Sequence, residues 1–151
     1  MTDFTNIKAV IFDYGGTLDT DARHWSHVLW AAYERAGIPV GEEQFREAYV
    51  SAERALAREP VVRPADTFRD VLLKKVALEL HDLSRRGCLA GNEERVEVWT
   101  EAVVQHSLDY IAPILDVSRK VLAQLREHYK LVLVSNFYGN IEAILADFRL
   151  T

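Results

Sequence analysis

The chain carries a single cysteine, Cys88, with only four prolines and seven glycines among its 151 residues. One thiol excludes an intrachain disulfide, and with it the stapled scaffolds of small secreted domains; it fits a reducing compartment. So little proline and glycine excludes collagen-like and low-complexity chains. A basic surplus is also missing: 18 Lys and Arg stand against 23 Asp and Glu, a net charge of −5. Nucleic-acid binding draws on a basic patch or stripe, so no nucleic-acid partner is expected. No apolar run approaches the roughly twenty residues of a membrane span, so no membrane partner is expected either. The opening residues, Met1 to Lys8, lack the basic segment and long apolar stretch of a secretion signal. These absences together describe a soluble cytoplasmic chain.

What is present is an ordinary globular composition, 49% hydrophobic and 27% charged. Ile7 to Phe12 (Ile-Lys-Ala-Val-Ile-Phe) is almost continuously apolar and β-branched, the pattern of a strand buried on both faces of a parallel sheet. It stops at the turn-forming Asp13-Tyr14-Gly15-Gly16-Thr17. Helical periodicity follows for about ninety residues. Trp25, Val28, Leu29, Ala32, Tyr33 and Ala36 form one stripe, ended by Gly37 and Pro39. Phe45, Tyr49, Ala52 and Leu56 mark a helix from about Glu42 to Arg58, broken by Pro60 and Pro64. Phe68, Val71, Leu72, Val76, Leu80 and Leu83 mark a third, ending before Gly87. Trp99, Ala102, Val103, His106 and Tyr110 mark a fourth, closed by Pro113. Asp116 or Ser118 then caps a helix carrying Val121, Leu122 and Leu125. Lys130 to Val134 is a second strand with Ser135 and Asn136 at its end, and Ile141, Ile144, Leu145 and Phe148 mark a last helix.

The order strand, helical block, helix, strand, helix predicts an α/β fold: a partial Rossmann-like parallel sheet with an inserted all-α module. Residues 1–19 and 113–151 form the expected sheet-bearing core, and residues 20–112 the insertion. Ligands of such sheets bind beyond the carboxyl ends of the strands, where Asp13 and Ser135 both fall. A carboxylate there is a candidate nucleophile. Gly15 and Gly16 allow a tight loop whose N–H groups face an anion, and Thr17 and Ser135 can donate hydroxyl hydrogen bonds, with Asn136 in support.

Ile7–Phe12 followed by Asp13-Tyr14-Gly15-Gly16-Thr17-Leu18, with Leu131–Val134 followed by Ser135-Asn136, resembles the first and second motifs of the haloacid dehalogenase superfamily. The helical insertion looks like that superfamily's C1-type cap. The resemblance implies a hydrolase acting on a small phosphorylated metabolite. Asp13 would become an aspartyl-phosphate. The Asp13 carboxylate and the Gly15 carbonyl would hold Mg²⁺, and Gly16, Thr17, Ser135 and Asn136 would bind the phosphoryl group. Two departures stand out. The position two residues after the nucleophile, an Asp in family phosphatases, is Gly15. Asp19 and Asp21 are the nearby acids that could reach back. The family's later Lys and acidic motifs have no counterpart after Asn136, and no Lys occurs after Lys130. The chain is therefore expected to be a fragment, inactive or weakly active, or to need a second copy or a further segment to complete its sheet. The alternatives are a non-catalytic binding or assembly domain, and an enzyme of other chemistry on the same plan, a dehalogenase or a phosphonate hydrolase.

Other residues have plainer readings. His24 and His27 lack a third ligand at metal spacing and suit a helix surface. His106 continues an apolar stripe. Trp25, Trp30 and Trp99 suit helix packing, and Cys88 has no conspicuous partner.

Overall fold

The computed structural model describes residues 6–151. Residues 1–5, with which the expected core begins, lie outside the described residues. Seven regular elements and one short 3₁₀ turn follow in order: β1 (Ala9–Phe12), α1 (Trp25–Ala36), α2 (Glu42–Arg58), α3 (Phe68–Arg85), the 3₁₀ turn Glu93–Arg95, α4 (Val96–Leu125), β2 (Lys130–Leu133) and α5 (Ile141–Asp147).

The helix boundaries follow local chemistry. The His24 ring accepts from the Ser26 N–H at the start of α1, and Gly37 closes that helix in the left-handed region at φ 68°. Gln44 reaches back to the Gly41 N–H at the start of α2, 2.9 Å. A reciprocal cap opens α3: the Thr67 hydroxyl accepts from the Asp70 N–H, and the Asp70 carboxylate accepts from the Thr67 N–H at 2.8 Å.

The expected α/β, Rossmann-like sheet is not what forms. Among the described residues the protein is mostly helical, five α-helices against two strands of four residues each. The strands do pair in parallel, with Ala9 opposite Lys130 and Phe12 opposite Leu133. Among the described residues each is the other's only ladder partner. A parallel sheet buries its apolar runs only when more strands and helices cover both faces. Without them β1 is half-exposed, and Ile11 and Val134 stay 66% and 64% exposed.

The helix expected to stop at Pro113 does not stop. α4 runs 30 residues to Leu125, with Pro113 inside it and with Asp116 and Ser118 in its interior rather than at a cap. Proline removes one N–H and crowds the preceding turn. Contacts on both sides of it keep the helix in place: Ile111 and Leu115 are buried, and the Ser118 hydroxyl donates to the Leu18 carbonyl at 2.6 Å. The boundary drawn between residues 112 and 113 thus falls within this helix.

α2 packs on α3, and α1 and α3 pack on α4. One apolar cluster runs from Tyr14 and Leu18 in the loop after β1, through Leu29, Tyr33, Leu80, Leu83, Trp99 and Val103, to Ile144 of α5. The loop that carries the candidate chemistry is therefore anchored in the helical core. No helix among the described residues is long and apolar enough to cross a membrane.

Candidate active site

The last ladder bond of the sheet, from the Val134 N–H to the Phe12 carbonyl at 2.9 Å, brings the two strands out side by side. Asp13 and Ser135 emerge at the same edge because the strands are parallel and in this register. Asp13 is exposed, and its Oδ1 accepts from the Tyr14 N–H at 2.8 Å, which fixes the carboxylate against its own loop.

Tyr14 pins the loop through its ring and its carbonyl. Tyr14 is fully buried, its ring edge-on to Phe68 and Phe137 at 6.4 and 5.6 Å between centroids. Its carbonyl accepts from both the Thr17 and Leu18 N–H groups, 3.1 and 2.9 Å. Burial, with the charges of Asp19 and Asp147 behind it, pushes the Tyr14 phenol far above its ordinary range, and its hydroxyl has no partner among the described residues. Gly16 takes a φ of 84°, a conformation that L side chains avoid. The space beside Gly15 and Gly16 is open: a Cβ on either would meet nothing within 4 Å. The missing acid at position 15 is thus not a consequence of crowding.

Asp19 has a role that its position in the sequence did not reveal. It is fully buried; Oδ1 accepts from the Gly16 N–H and Oδ2 from the Trp25 indole N–H, both at 2.8 Å. Burial raises its carboxyl above the ordinary value; the hydrogen bonds from Trp25 and Gly16 oppose the rise and the nearby charge of Asp13 adds to it. Asp19 does reach back into the loop, but as a clamp that ties the glycine turn to α1. The Gly16 N–H, expected to face a phosphoryl group, is engaged by this clamp. Asp21 is exposed, in the left-handed region at φ 54°. Thr17 and Asn136 are exposed and Ser135 half-buried.

Above the glycine turn lies a cavity of about 210 Å³. Gly15, Gly16 and Asn136 line it from the strand-end side, and His24, Trp25, Tyr49, Glu53, Phe68 and Lys75 from the helical block. Asp13, Thr17 and Ser135 do not line it. A larger groove of about 400 Å³ runs elsewhere, between α4, β2 and α5, and none of the motif residues from Asp13 to Thr17 or at Ser135 and Asn136 touches it.

The cavity holds a nearly buried lysine and its acidic partner. Lys75 is 5% exposed, pairs with Glu53 and lies 4.1 Å above the ring of Tyr49. The Tyr138 hydroxyl donates to both Glu53 oxygens, 3.1 Å each. Burial works against the Lys75 charge, but Tyr138, Glu79, Tyr49 and Glu53 around it outweigh burial and raise its pKa above the ordinary lysine value. The Tyr138–Glu53 bond, with the Asn140 amide donating to the Asp66 carbonyl at 2.9 Å, also ties the loop after Ser135 to the helices. One signal for Lys75 was present in the sequence. Positions 71, 72, 75, 76, 79, 80 and 83 share one helix face, so Lys75 and Glu79 interrupt an otherwise apolar stripe. The other aromatic and histidine readings fare unevenly: His24 caps α1 and also lines the cavity, Trp25 is a hydrogen-bond donor as well as a packing residue, and Trp99 is buried.

The expected Mg²⁺ finds an incomplete donor set. Among the described residues no three His, Cys, Asp or Glu side chains gather as a metal group. Asp13 and the Gly15 carbonyl are the donors assigned to it, and the buried Asp19 carboxylate already accepts from two N–H groups. Magnesium prefers a near-octahedral oxygen shell. An Mg²⁺ here would draw on the Asp13 carboxylate and the Gly15 carbonyl, with water and substrate oxygens completing its shell.

Comparison of the chain with protein-family profiles, with curated proteins and with solved structures finds no match.

Proposed function

We propose that the protein is a hydrolase that uses the Asp13 carboxylate as a nucleophile toward a small phosphorylated molecule. One observation carries this reading: the parallel register delivers Asp13 and Ser135 to one edge of the sheet, beside a cavity lined by Gly15, Gly16 and Asn136. The likeness of Asp13–Leu18 and of Ser135-Asn136 to the haloacid dehalogenase motifs supports it from the side of the sequence.

In the first step an Asp13 oxygen bonds to phosphorus as the bond from phosphorus to the leaving oxygen breaks. The leaving oxygen takes a proton from water, since Gly15 has no side chain to supply one. Water then attacks the aspartyl-phosphate, releasing inorganic phosphate and restoring the carboxylate. The Tyr14 N–H holds Asp13 in place, and hydroxyls at Thr17 and Ser135 are the donors within the same loops that can meet phosphoryl oxygens. Absence of a positioned acid costs typically 10²–10⁴-fold, so turnover is expected to be slow.

A non-catalytic binding role is favoured by one observation, the engagement of the Gly16 N–H by Asp19. Phosphate release from p-nitrophenyl phosphate, with Mg²⁺ and with EDTA, separates the two. The catalytic reading expects slow release and an acyl phosphate that hydroxylamine traps, both abolished in Asp13→Asn. Release that persists unchanged in Asp13→Asn refutes it.

A further inference from the structure

The cavity over the glycine turn has a charge pattern that selects among ligands. Lys75 and Glu53 neutralise each other within it, and the ammonium already occupies the face of Tyr49. An anionic ligand group would have to displace Glu53 from Lys75. A cationic one would have to displace Lys75 from both Glu53 and Tyr49. Each displacement leaves a buried or half-buried charge uncompensated, which is costly. A neutral polar group faces no such competition.

The same pair presents a donor and an acceptor side by side. The ammonium has three N–H donors and the Glu53 carboxylate several lone pairs, of which Tyr138 uses one on each oxygen. Glu53 remains 35% exposed at its side chain, which makes it the more accessible member of the pair. Asn136 adds an amide that both donates and accepts. Adjacent hydroxyl groups, each a donor and an acceptor, are the neutral chemistry that matches such a set. Much of the remaining wall is apolar, with Val71, Leu72 and the rings of Trp25 and Phe68 at 5.2 Å between centroids, and suits the C–H face of a small saturated ring or chain. At about 210 Å³ the cavity is smaller than the roughly 300–1,000 Å³ of sites for drug-sized ligands.

We propose that this cavity is a subsite for a neutral, vicinally hydroxylated group, a polyol or sugar moiety, read by the Glu53–Lys75 pair with Asn136 and the Trp25–Phe68 wall. It deepens the hydrolase reading, on which its link to catalysis rests: the hydroxylated moiety sits in the cavity while the phosphoryl group of the same molecule reaches out past the glycine turn toward Asp13.

Binding is tested apart from turnover. Backbone amide NMR shifts are followed while the full chain is titrated with myo-inositol, and separately with succinate and with tetramethylammonium. Saturable shifts centred on Gly16, Asn136 and Lys75 are expected with myo-inositol alone. Glu53→Gln should weaken that binding about tenfold, the loss of one or two hydrogen bonds to a charged group. Because this variant leaves Lys75 uncompensated and can unfold, the charge-balanced Glu53→Gln/Lys75→Met double variant is the second arm. Its fold is checked by circular dichroism, and it should lose the myo-inositol response. Saturable binding of succinate or tetramethylammonium at these residues overturns the proposal. So does an unchanged myo-inositol response in the folded double variant, or no myo-inositol response in the wild type. Failure of the hydrolase reading shows separately, as absence of Asp13-dependent release from p-nitrophenyl phosphate, whose aromatic leaving group has no vicinal hydroxyls.

Discussion

Glu79→Gln is expected to stabilise the protein at neutral and alkaline pH. Glu79 lies on α3 with no exposed surface. One carboxylate oxygen accepts from the Tyr33 hydroxyl at 2.9 Å, and the other has no partner among the described residues. Lys75, one turn away on the same helix, pairs with Glu53 instead. Burial therefore raises the Glu79 carboxyl from 4.5 to about 7; the Lys75 charge and the Tyr33 hydrogen bond work against the rise, and Glu53 adds to it. The gap between folded and unfolded values corresponds to about 3 kcal/mol. Its sign follows from proton uptake. Between pH 4.5 and about 7 the folded chain holds a proton that the unfolded chain has released. Stability from this group is thus complete below 4.5, falls as pH rises to about 7 and stays flat above. Glutamine keeps an acceptor for Tyr33 and carries no charge at any pH. Its amide N–H groups then lack an acceptor, at a cost of about 1–2 kcal/mol, which leaves a net gain of about 1–2 kcal/mol at pH 8. Urea unfolding followed by tryptophan fluorescence, in steps from pH 5 to 8, measures both the gain and the loss of this slope. A variant that keeps the wild-type slope refutes the reasoning. A variant less stable at pH 8 by about 3–5 kcal/mol also refutes it, because that is the cost of breaking a buried ion pair.

Two further predictions concern single positions. Thr67→Ala removes the hydroxyl that caps α3 and should cost about 1 kcal/mol, a fall of about 2–4 °C in Tm by calorimetry; no change would mean that the Asp70 half of the cap suffices. Gly15→Asp places a carboxyl where a Cβ meets nothing within 4 Å, so the fold should hold and phosphate release should rise about 10²-fold or more if a missing proton donor limits turnover. A folded variant with unchanged turnover would show that the donor is not what limits the rate.

Much of the helical architecture was legible because its causes are local. The stripe from Trp25 to Ala36, its stop at Gly37, the span Glu42–Arg58 and the end of α3 before Gly87 are matters of period and of caps within a few residues. The errors arose where a local rule met a distant contact. Pro113 reads as a helix end, but α4 continues past it, with Ser118 bonded to Leu18 and with Ile111 and Leu115 in the apolar cluster. The run from Ile7 to Phe12 reads as a fully covered strand, but coverage depends on how many other strands join, which no window of sequence contains.

The candidate site divides in the same way. The identity of Asp13, its place just after a strand, the tight turn at Gly15 and Gly16 and the presence of Ser135 after the second strand follow from the order of residues alone, because a strand and its turn are short-range structures. Which groups those residues meet was decided by the tertiary structure. Asp19 meets Gly16 and Trp25, three and six residues away, where the loop folds back on the start of α1, and Tyr14 meets Phe68 and Phe137 only when distant elements pack around it. Glu53, Lys75 and Tyr138 come from α2, α3 and the loop after β2, and become one polar cluster only when those elements close around a shared cavity. Hydrophobic periodicity records which face of an element turns inward; it carries no record of which distant charge will be waiting there, since that pairing is set by the packing of whole elements.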